Sequence, residues 1–391
     1  MDWSFLIRNN TSLNVTTDSR KITPGCIFVA LKGEHFDGND YVDQAIRDGA
    51  SYVIKGANAL AELQDLAREW RRYLGLPIIA ITGSNGKTTT KELTAAVLKT
   101  KYNIHYTQGN YNNSLGVPLT LLQLTKEHQL AIVEMGASHP GDIKELVEIA
   151  EPNYGLITNV GRAHLLGFGS FEGVMATKAE LYDYLVAHKG TIFRNADNPY
   201  LQQMLDKATK DIHYSLFIIN YTTGTMPTGT HLIGDYNAEN VSAAICVGEH
   251  FGVSKEEALA AIRAYVPSNN RSQAMKTAHN DLVIDAYNAN PTSMTAAINA
   301  FKGEAYILGA MRELGDYSHL EHQNIVNMLL ERKADMVYLV GEEWRDTTAP
   351  YRIFDTTSEL SDYLQAHPIT GARILVKGSR SNQLETIIPL L

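Results

Sequence analysis

The chain has 391 residues, with 43 Asp and Glu against 34 Lys and Arg, and a net charge of −9. That length predicts two or three domains at about 150 residues each, and the acidic balance argues against nucleic acid as a partner, since phosphate backbones attract basic stripes. Only Cys26 and Cys246 occur, which excludes a disulfide framework or a cysteine zinc site. The opening MDWSFLIRNN lacks the basic start and apolar core of a signal peptide. No apolar run nears the ~20 residues that span a bilayer. A soluble cytosolic protein is expected.

Three blocks follow in chain order. In residues 1–76, GCIFVAL and SYVIKG read as strands around a helix, YVDQAIRDGA. A second block, 77–266, opens on the apolar run Pro77-Ile78-Ile79-Ala80-Ile81. Its further strands are QLAIVEMG, YGLITNV and GTIFRNA, alternating with helices predicted at 141–150 and 171–188. A polar stretch, Asn220 to Thr230, interrupts it before a helix over Ala238–Phe251, with Gly252 as C-cap. The third block, 267–391, carries the strands DLVIDAYN, EAYILGAM, DMVYLVG and ARILVKG, separated by HLEHQNIVNMLLERK and SELSDYLQAH. Strand–helix alternation predicts an α/β fold of parallel sheets covered by helices. Ligands in such sheets sit at the carboxyl ends of strands. Glu134, Asn159, His164, Asp285, Asn288 and Lys377 all fall there.

The strongest local signal is PIIAITGSNGKTTT, residues 77–90. An apolar strand feeds the glycine loop Gly83-Ser84-Asn85-Gly86, then Lys87-Thr88-Thr89. Leu93, Ala96 and Val97 then recur at helical spacing. Backbone N–H groups and the positive helix end suit an anion. Lys87 can reach the outer phosphates, and the Thr88 hydroxyl suits Mg²⁺. ATP or GTP is the expected ligand. The longer form of the phosphate-loop pattern has a glycine where this chain has Ile81.

Other candidates are weaker alone. Glu134, at a strand end one strand from the loop, suits Mg²⁺ directly or through water. A lone His such as His164 is more often structural than a ligand, and Mg²⁺ prefers oxygen. Helical lysines such as Lys178 are usually solvated. Asn112 and Asn113 read either as turn chemistry or as amide contacts to a polar substrate. Arg271, Asp285, Tyr287, Asn288 and Asn290 read either as loop capping or as polar groups facing the phosphate loop across a cleft.

Taken together, TGSNGKTTT, EMGASHPGDI, TNVGRAHLLGFGSFEGVMATKAEL, the Arg271 segment and DAYNANPTSM resemble the Mur ligases, in the order found there. These are ATP-dependent amide-forming enzymes of peptidoglycan precursor synthesis. YNNSLGVPLTLL, the EMG triplet, YNANPTSM and GAMRELGDYSHLEH point to the branch that joins D-alanyl-D-alanine to UDP-N-acetylmuramoyl-tripeptide. DSRKITPGCIFVALKGEHFDGNDYVDQAIRDGA resembles the family's UDP-sugar-binding domain. The resemblance covers nearly the whole chain. It implies a central phosphate-loop ATPase domain between that domain and a Rossmann-like C-terminal one, in a monomer. It also implies ATP and Mg²⁺ as cofactors. It makes Lys87 and Thr88 phosphate and Mg²⁺ contacts within a nucleotide loop that runs from Gly83 to Thr89. It puts Glu134 and His164 at the metal and Lys178 at the lysine that is carbamylated in the family. A carbamate is an anionic oxygen pair that suits Mg²⁺, and it forms from the neutral amine. Arg271, Asp285 and Asn240 match nucleotide contacts. Ser19 and Arg20 match the uridine end of the substrate site. Asn112, Asn113, Tyr287, Asn288 and Asn290 remain as substrate candidates. The chain departs from the family at Tyr236 and Asn39, where histidines are usual, and in a shorter segment before Gly234. The motif of the diaminopimelate-adding ligase is absent. A nucleotide-driven motor or switch would want a basic groove or a switch Asp, and the chain shows neither clearly.

Overall fold

The computed structural model describes residues 2–8, 10–267 and 271–391. The chain folds around three sheets. The first holds β1 (Val15–Thr16), β2 (Ile27–Val29) and β3 (Tyr52–Ile54), all parallel. After it comes the long helix α1 (Ala59–Leu74). Trp70 and Leu66 on α1 are fully buried in the same core as Ile78 and Ala80 of the next strand, so the first block leans on the second. Trp70 Nε1 donates to the carbonyl of Leu124 at 3.0 Å, and Arg71 Nε to that of Ala150 at 2.9 Å.

The central sheet has six parallel strands: β4 (Ile78–Thr82), β5 (Ile104–Tyr106), β6 (Leu130–Glu134), β7 (Tyr154–Ile157), β8 (Thr191–Asn195) and β9 (Phe217–Tyr221). Their spatial order is β5-β6-β4-β7-β8-β9. The chain thus starts in the middle, builds one side, then crosses β4 to build the other. That reversal creates a crevice at the carboxyl end of β4. Both faces are covered, which is why β4 and β6 read as continuous apolar runs. Ile78 and Ala80 point to one core, Ile79 and Ile81 to the other. The covering helices include α2 (Lys87–Leu98), α3 (Gly116–Leu122), α4 (Asp142–Ala150), α5 (Phe171–Ala187) and α6 (Asn237–His250). Ser170 caps α5 by accepting from the Gly173 N–H. The predicted polar interruption begins inside a strand, since Asn220 and Tyr221 close the edge strand β9.

The third sheet contains β10 (Gln273–Lys276), β11 (Asp281–Asp285), β12 (Ala305–Gly309), β13 (Met336–Val340), β14 (Arg352–Phe354) and β15 (Arg373–Lys377). Its order is β10-β11-β15-β12-β13-β14, parallel except for the edge strand β10. Val283 faces one core and Leu282 and Ile284 the other, so this sheet is also covered on both sides. Helices α7 (Pro291–Ala300) and α8 (Ser318–Glu331) pack there. Asn290 opens α7 with a reciprocal cap to Ser293, and Pro291 takes the first helical position. Among the described residues no helix is long and apolar enough to cross a membrane.

Candidate active site

The carboxyl ends of the central and third sheets face each other across one cavity of about 730 Å³. The phosphate loop forms its floor. Gly83 has φ 142°, and a Cβ there would lie 2.0 Å from Thr158 Oγ1. Gly86 has φ 79°, and a Cβ there would lie 2.3 Å from Asn240 Oδ1. Both positions therefore need glycine. The loop is tied down on its far side. Thr158 Oγ1 donates to the Asn85 carbonyl at 2.6 Å, and the Asn85 N–H donates to Asn159 Oδ1 at 3.0 Å. Asn85 Nδ2 is buried without a hydrogen-bond partner among the described residues, a spare donor in an anion cradle.

Lys87 Nζ donates back to the Gly83 and Ser84 carbonyls at 2.6 and 3.1 Å. Burial pulls its pKa down to about 8; Glu134 opposes the shift and Arg271 adds to it. Thr88 Oγ1 donates to both Glu134 oxygens, at 2.9 and 3.2 Å. Glu134 is 1% exposed and also accepts from Asn112 Nδ2 at 2.8 Å. Lys91 Nζ stands 3.9 Å behind it. This is an oxygen-rich donor set, the chemistry that Mg²⁺ prefers.

Of the other two expected metal positions, His164 lines the cavity and Lys178 does not, and neither hydrogen-bonds Thr88 or Glu134. His164 has φ 53° and binds Glu313 of the third block through Nδ1. Burial lowers its pKa, against the pull of Glu313. Lys178 is 2% exposed on α5, with its Nζ 5.5 Å from the Phe168 ring, which His164 also meets edge-on. Desolvation, then the nearby Lys87, pushes the Lys178 pKa well below the usual lysine value. The sequence expectation of a solvated helical lysine is therefore wrong for this position. Among the described residues no group of three or more His, Cys, Asp or Glu forms a metal cluster.

Thr90 Oγ1 donates to Asn240 Oδ1 at 3.0 Å, which fixes α6 against α2. From the third block, Asn290 Nδ2 donates to Asn85 Oδ1 at 2.8 Å. Asp285 and Lys377 end adjacent strands and pair at 2.6 Å. Lys377 Nζ also donates to the Asn288 carbonyl at 3.1 Å. Arg271 stacks on Tyr287, Cζ to ring centroid 3.8 Å, and its Nε has no partner among the described residues. Ser84 to Thr89, Asn112, Asn113, Glu134, His164, Asn240, Arg271, Asp285, Tyr287 and Asn288 all line the cavity. Asn113 also does turn work, accepting from the Gly116 N–H at 2.8 Å. The turn reading thus holds for Asn113, while the Asn112 amide is turned to Glu134.

Ser19 and Arg20 do not line the cavity. They sit on a short 3₁₀ turn, where Arg20 is exposed and clasps Asp18 at 2.8 Å. Among the further wall residues, Asn159, Glu239, Glu313 and Lys377 have no role assigned from the sequence. Two of these, Asn159 and Lys377, are strand-end residues and so carry a positional signal. Tyr236, in place of the usual His, also lines the cavity and hydrogen-bonds Ser272 at 2.6 Å.

Comparison with known proteins agrees with this geometry. Residues 81–248 match the family model described as Mur ligase middle domain, 270–380 that of the Mur ligase glutamate ligase domain, and 13–107 that of the Mur ligase family catalytic domain. The chain is 33% identical to the UDP-N-acetylmuramoyl-tripeptide–D-alanyl-D-alanine ligase of Bacillus subtilis, over 96% of this chain and 92% of that protein. The Escherichia coli enzyme of the same name is also 33% identical, over 96% and 93%. A crystal structure of MurF from Acinetobacter baumannii superposes with a TM-score of 0.82 at 30% identity, covering 96% and 92%. The MurF ligase of Thermotoga maritima in complex with ADP gives 0.83 at 26%, covering 97% of each chain.

Proposed function

The chain belongs to the Mur ligase family, and from that premise we propose that it joins D-alanyl-D-alanine to UDP-N-acetylmuramoyl-tripeptide with ATP, a step of peptidoglycan precursor synthesis. The observation that carries this reading is the cleft itself: a phosphate loop opposed by the strand ends of a second sheet, in one cavity. The relatives that match nearly the whole chain bear the name of this reaction.

The tripeptide carboxylate attacks the γ-phosphate of ATP, giving an acyl phosphate and ADP. The amine of the dipeptide then attacks the acyl carbon, and phosphate leaves. Two anions must meet in the first step. The loop N–H groups, Asn85 Nδ2 and the Lys87 ammonium offset that repulsion as charge develops. For this, Lys87 must exchange its bonds to Gly83 and Ser84 for phosphate oxygens. Thr88, Glu134, His164 and a carbamylated Lys178 would hold Mg²⁺, which would neutralise charge between the reacting anions. The lowered Lys178 pKa supports that modification, because the neutral amine is the form that reacts with carbon dioxide. Asn240, Arg271 and Asp285 would take the nucleoside end of ATP. Residues 77–266 and 267–391 then form the two jaws, while 1–76, with Ser19 and Arg20, would take the uridine end of the substrate. Contacts such as Arg162 to Glu321 at 2.7 Å tie the jaws together, and the acyl phosphate requires jaws that close against water. One copy of the chain supplies every group named here. ATP as co-substrate makes the cytoplasm the expected compartment.

The test is phosphate release from ATP and Mg²⁺, with the UDP-tripeptide and the dipeptide added singly and together. Release only with both, and a product heavier by the dipeptide less water, is the expected result. Release indifferent to both would leave a nucleotide hydrolase.

A further inference from the structure

A second cavity, of about 410 Å³, adjoins the first and shares Thr88, Arg271 and Tyr287 with it. Tyr106, Tyr265 and Arg380 belong to its own wall. The Tyr287 ring carries two guanidiniums, with Arg271 Cζ 3.8 Å and Arg380 Cζ 5.6 Å from its centroid. Cation–π contact of this kind orients a guanidinium while leaving its N–H edge free. Arg162, Arg312 and Arg345 are each held by a carboxylate. Arg271 and Arg380 form no ion pair among the described residues. The one acid on the wall, Glu92, is already held by Lys91 at 3.0 Å. The second cavity therefore carries uncompensated positive charge beside the phosphate loop.

Resting on the ligase reading, the chemistry needs a seat for a third reactant. The nucleotide and the acyl donor meet in the first cavity. The acceptor is a short dipeptide whose amine must reach the acyl carbon and whose carboxylate must lie away from it. An extended dipeptide spans ~7 Å, so its carboxylate falls in a neighbouring space rather than in the phosphate site. The second cavity meets the first at Thr88, Arg271 and Tyr287, and offers a planar fork that matches a carboxylate. We propose that this cavity seats the incoming dipeptide, with Arg380 binding its terminal carboxylate.

Arg380 is exposed at a 3₁₀ turn, so its substitution leaves the fold intact. The experiment measures kcat/KM of wild type, Arg380→Gln and Arg380→Lys with D-alanyl-D-alanine and with D-alanyl-D-alaninamide, which lacks the carboxylate. Wild type is expected to disfavour the amide by tenfold or more. Arg380→Gln is expected to lose tenfold or more on the dipeptide, through KM, and less than twofold on the amide. Arg380→Lys should recover part of the loss, and KM for ATP and for the UDP-tripeptide should stay within twofold. An equal loss on dipeptide and amide would overturn the assignment, as would a rise in KM for the UDP-tripeptide instead. A wild-type enzyme that ligates neither acceptor would overturn the ligase reading itself, and this seat with it.

Discussion

Replacing Gly86 by alanine tests how tightly the phosphate loop is built. The residue has φ 79°, and its added Cβ would stand 2.3 Å from Asn240 Oδ1, where real contacts keep at least 3.0 Å. Asn240 cannot simply swing aside. It is 5% exposed, accepts from Thr90 Oγ1 at 3.0 Å and donates to Asn237 Oδ1 at 2.9 Å. The left-handed backbone costs an alanine roughly 1–2 kcal/mol. Losing two buried hydrogen bonds costs about 1 kcal/mol each. The total is about 3–4 kcal/mol. Gly141 is a control, because its φ is 89° yet nothing lies within 4 Å of its Cβ position. Gly141→Ala should cost only the backbone part, about 1–2 kcal/mol. Urea unfolding, followed by fluorescence of Trp70 in the shared core, measures both. The double substitution Gly86→Ala with Asn240→Ala should then cost less than the sum of the two single ones. Equal losses for Gly86→Ala and Gly141→Ala would refute the argument that Asn240 braces the loop.

Lys87 gives a pH prediction. Burial holds its pKa at about 8, so ATP, which favours the charged form, must draw in a proton above that pH. The ATP Kd should rise toward tenfold per unit above pH 8, and calorimetry in two buffers should show proton uptake that Lys87→Met lacks. A Kd flat from pH 7 to 9.5 would contradict it. Lys178 gives a stability prediction. A buried amine with no ion pair among the described residues costs folding energy through desolvation, so its apolar replacement should stabilise the unmodified protein. Lys178→Met should therefore raise the thermal midpoint while abolishing ligation, and Lys178→Ala should regain some turnover with added short carboxylates. A lower midpoint in Lys178→Met, with both proteins freed of carbon dioxide, would show that the amine is paired in solution.

The fold was legible wherever burial is two-sided. IIAIT and LAIVE read as strands because helices cover both faces of the sheet, and both are fully buried in the structure. The edge strand β9 was missed because its pattern is exposed, half-buried and buried by turns, with Phe217 72% exposed. Helix α1 was missed although Leu63, Leu66, Ala67 and Trp70 recur at helical spacing on its buried face. Boundaries slipped by one or two residues, as at α6, which starts at Asn237 rather than Ala238.

The candidate site divides along a physical line. Residues whose chemistry depends on their neighbours in sequence could be read directly: Lys87 and Thr88 are useful because the same loop supplies the N–H groups around them. Residues whose chemistry depends on a distant partner could not. Lys178 looks solvated on a helix until α5 is packed and no carboxylate meets it. His164 looks structural until a loop 149 residues later brings Glu313 to its Nδ1. Arg380 carries no motif, and becomes a candidate only when Tyr287 stacks it beside Arg271. The last two share a cause. A parallel sheet gathers its strand ends along one edge, and two such edges facing each other bring together residues that no spacing rule connects. Only resemblance to a family could name Lys178 and His164 from the sequence, and where the resemblance assigned no role, as at Glu313 and Arg380, the contact had to be seen.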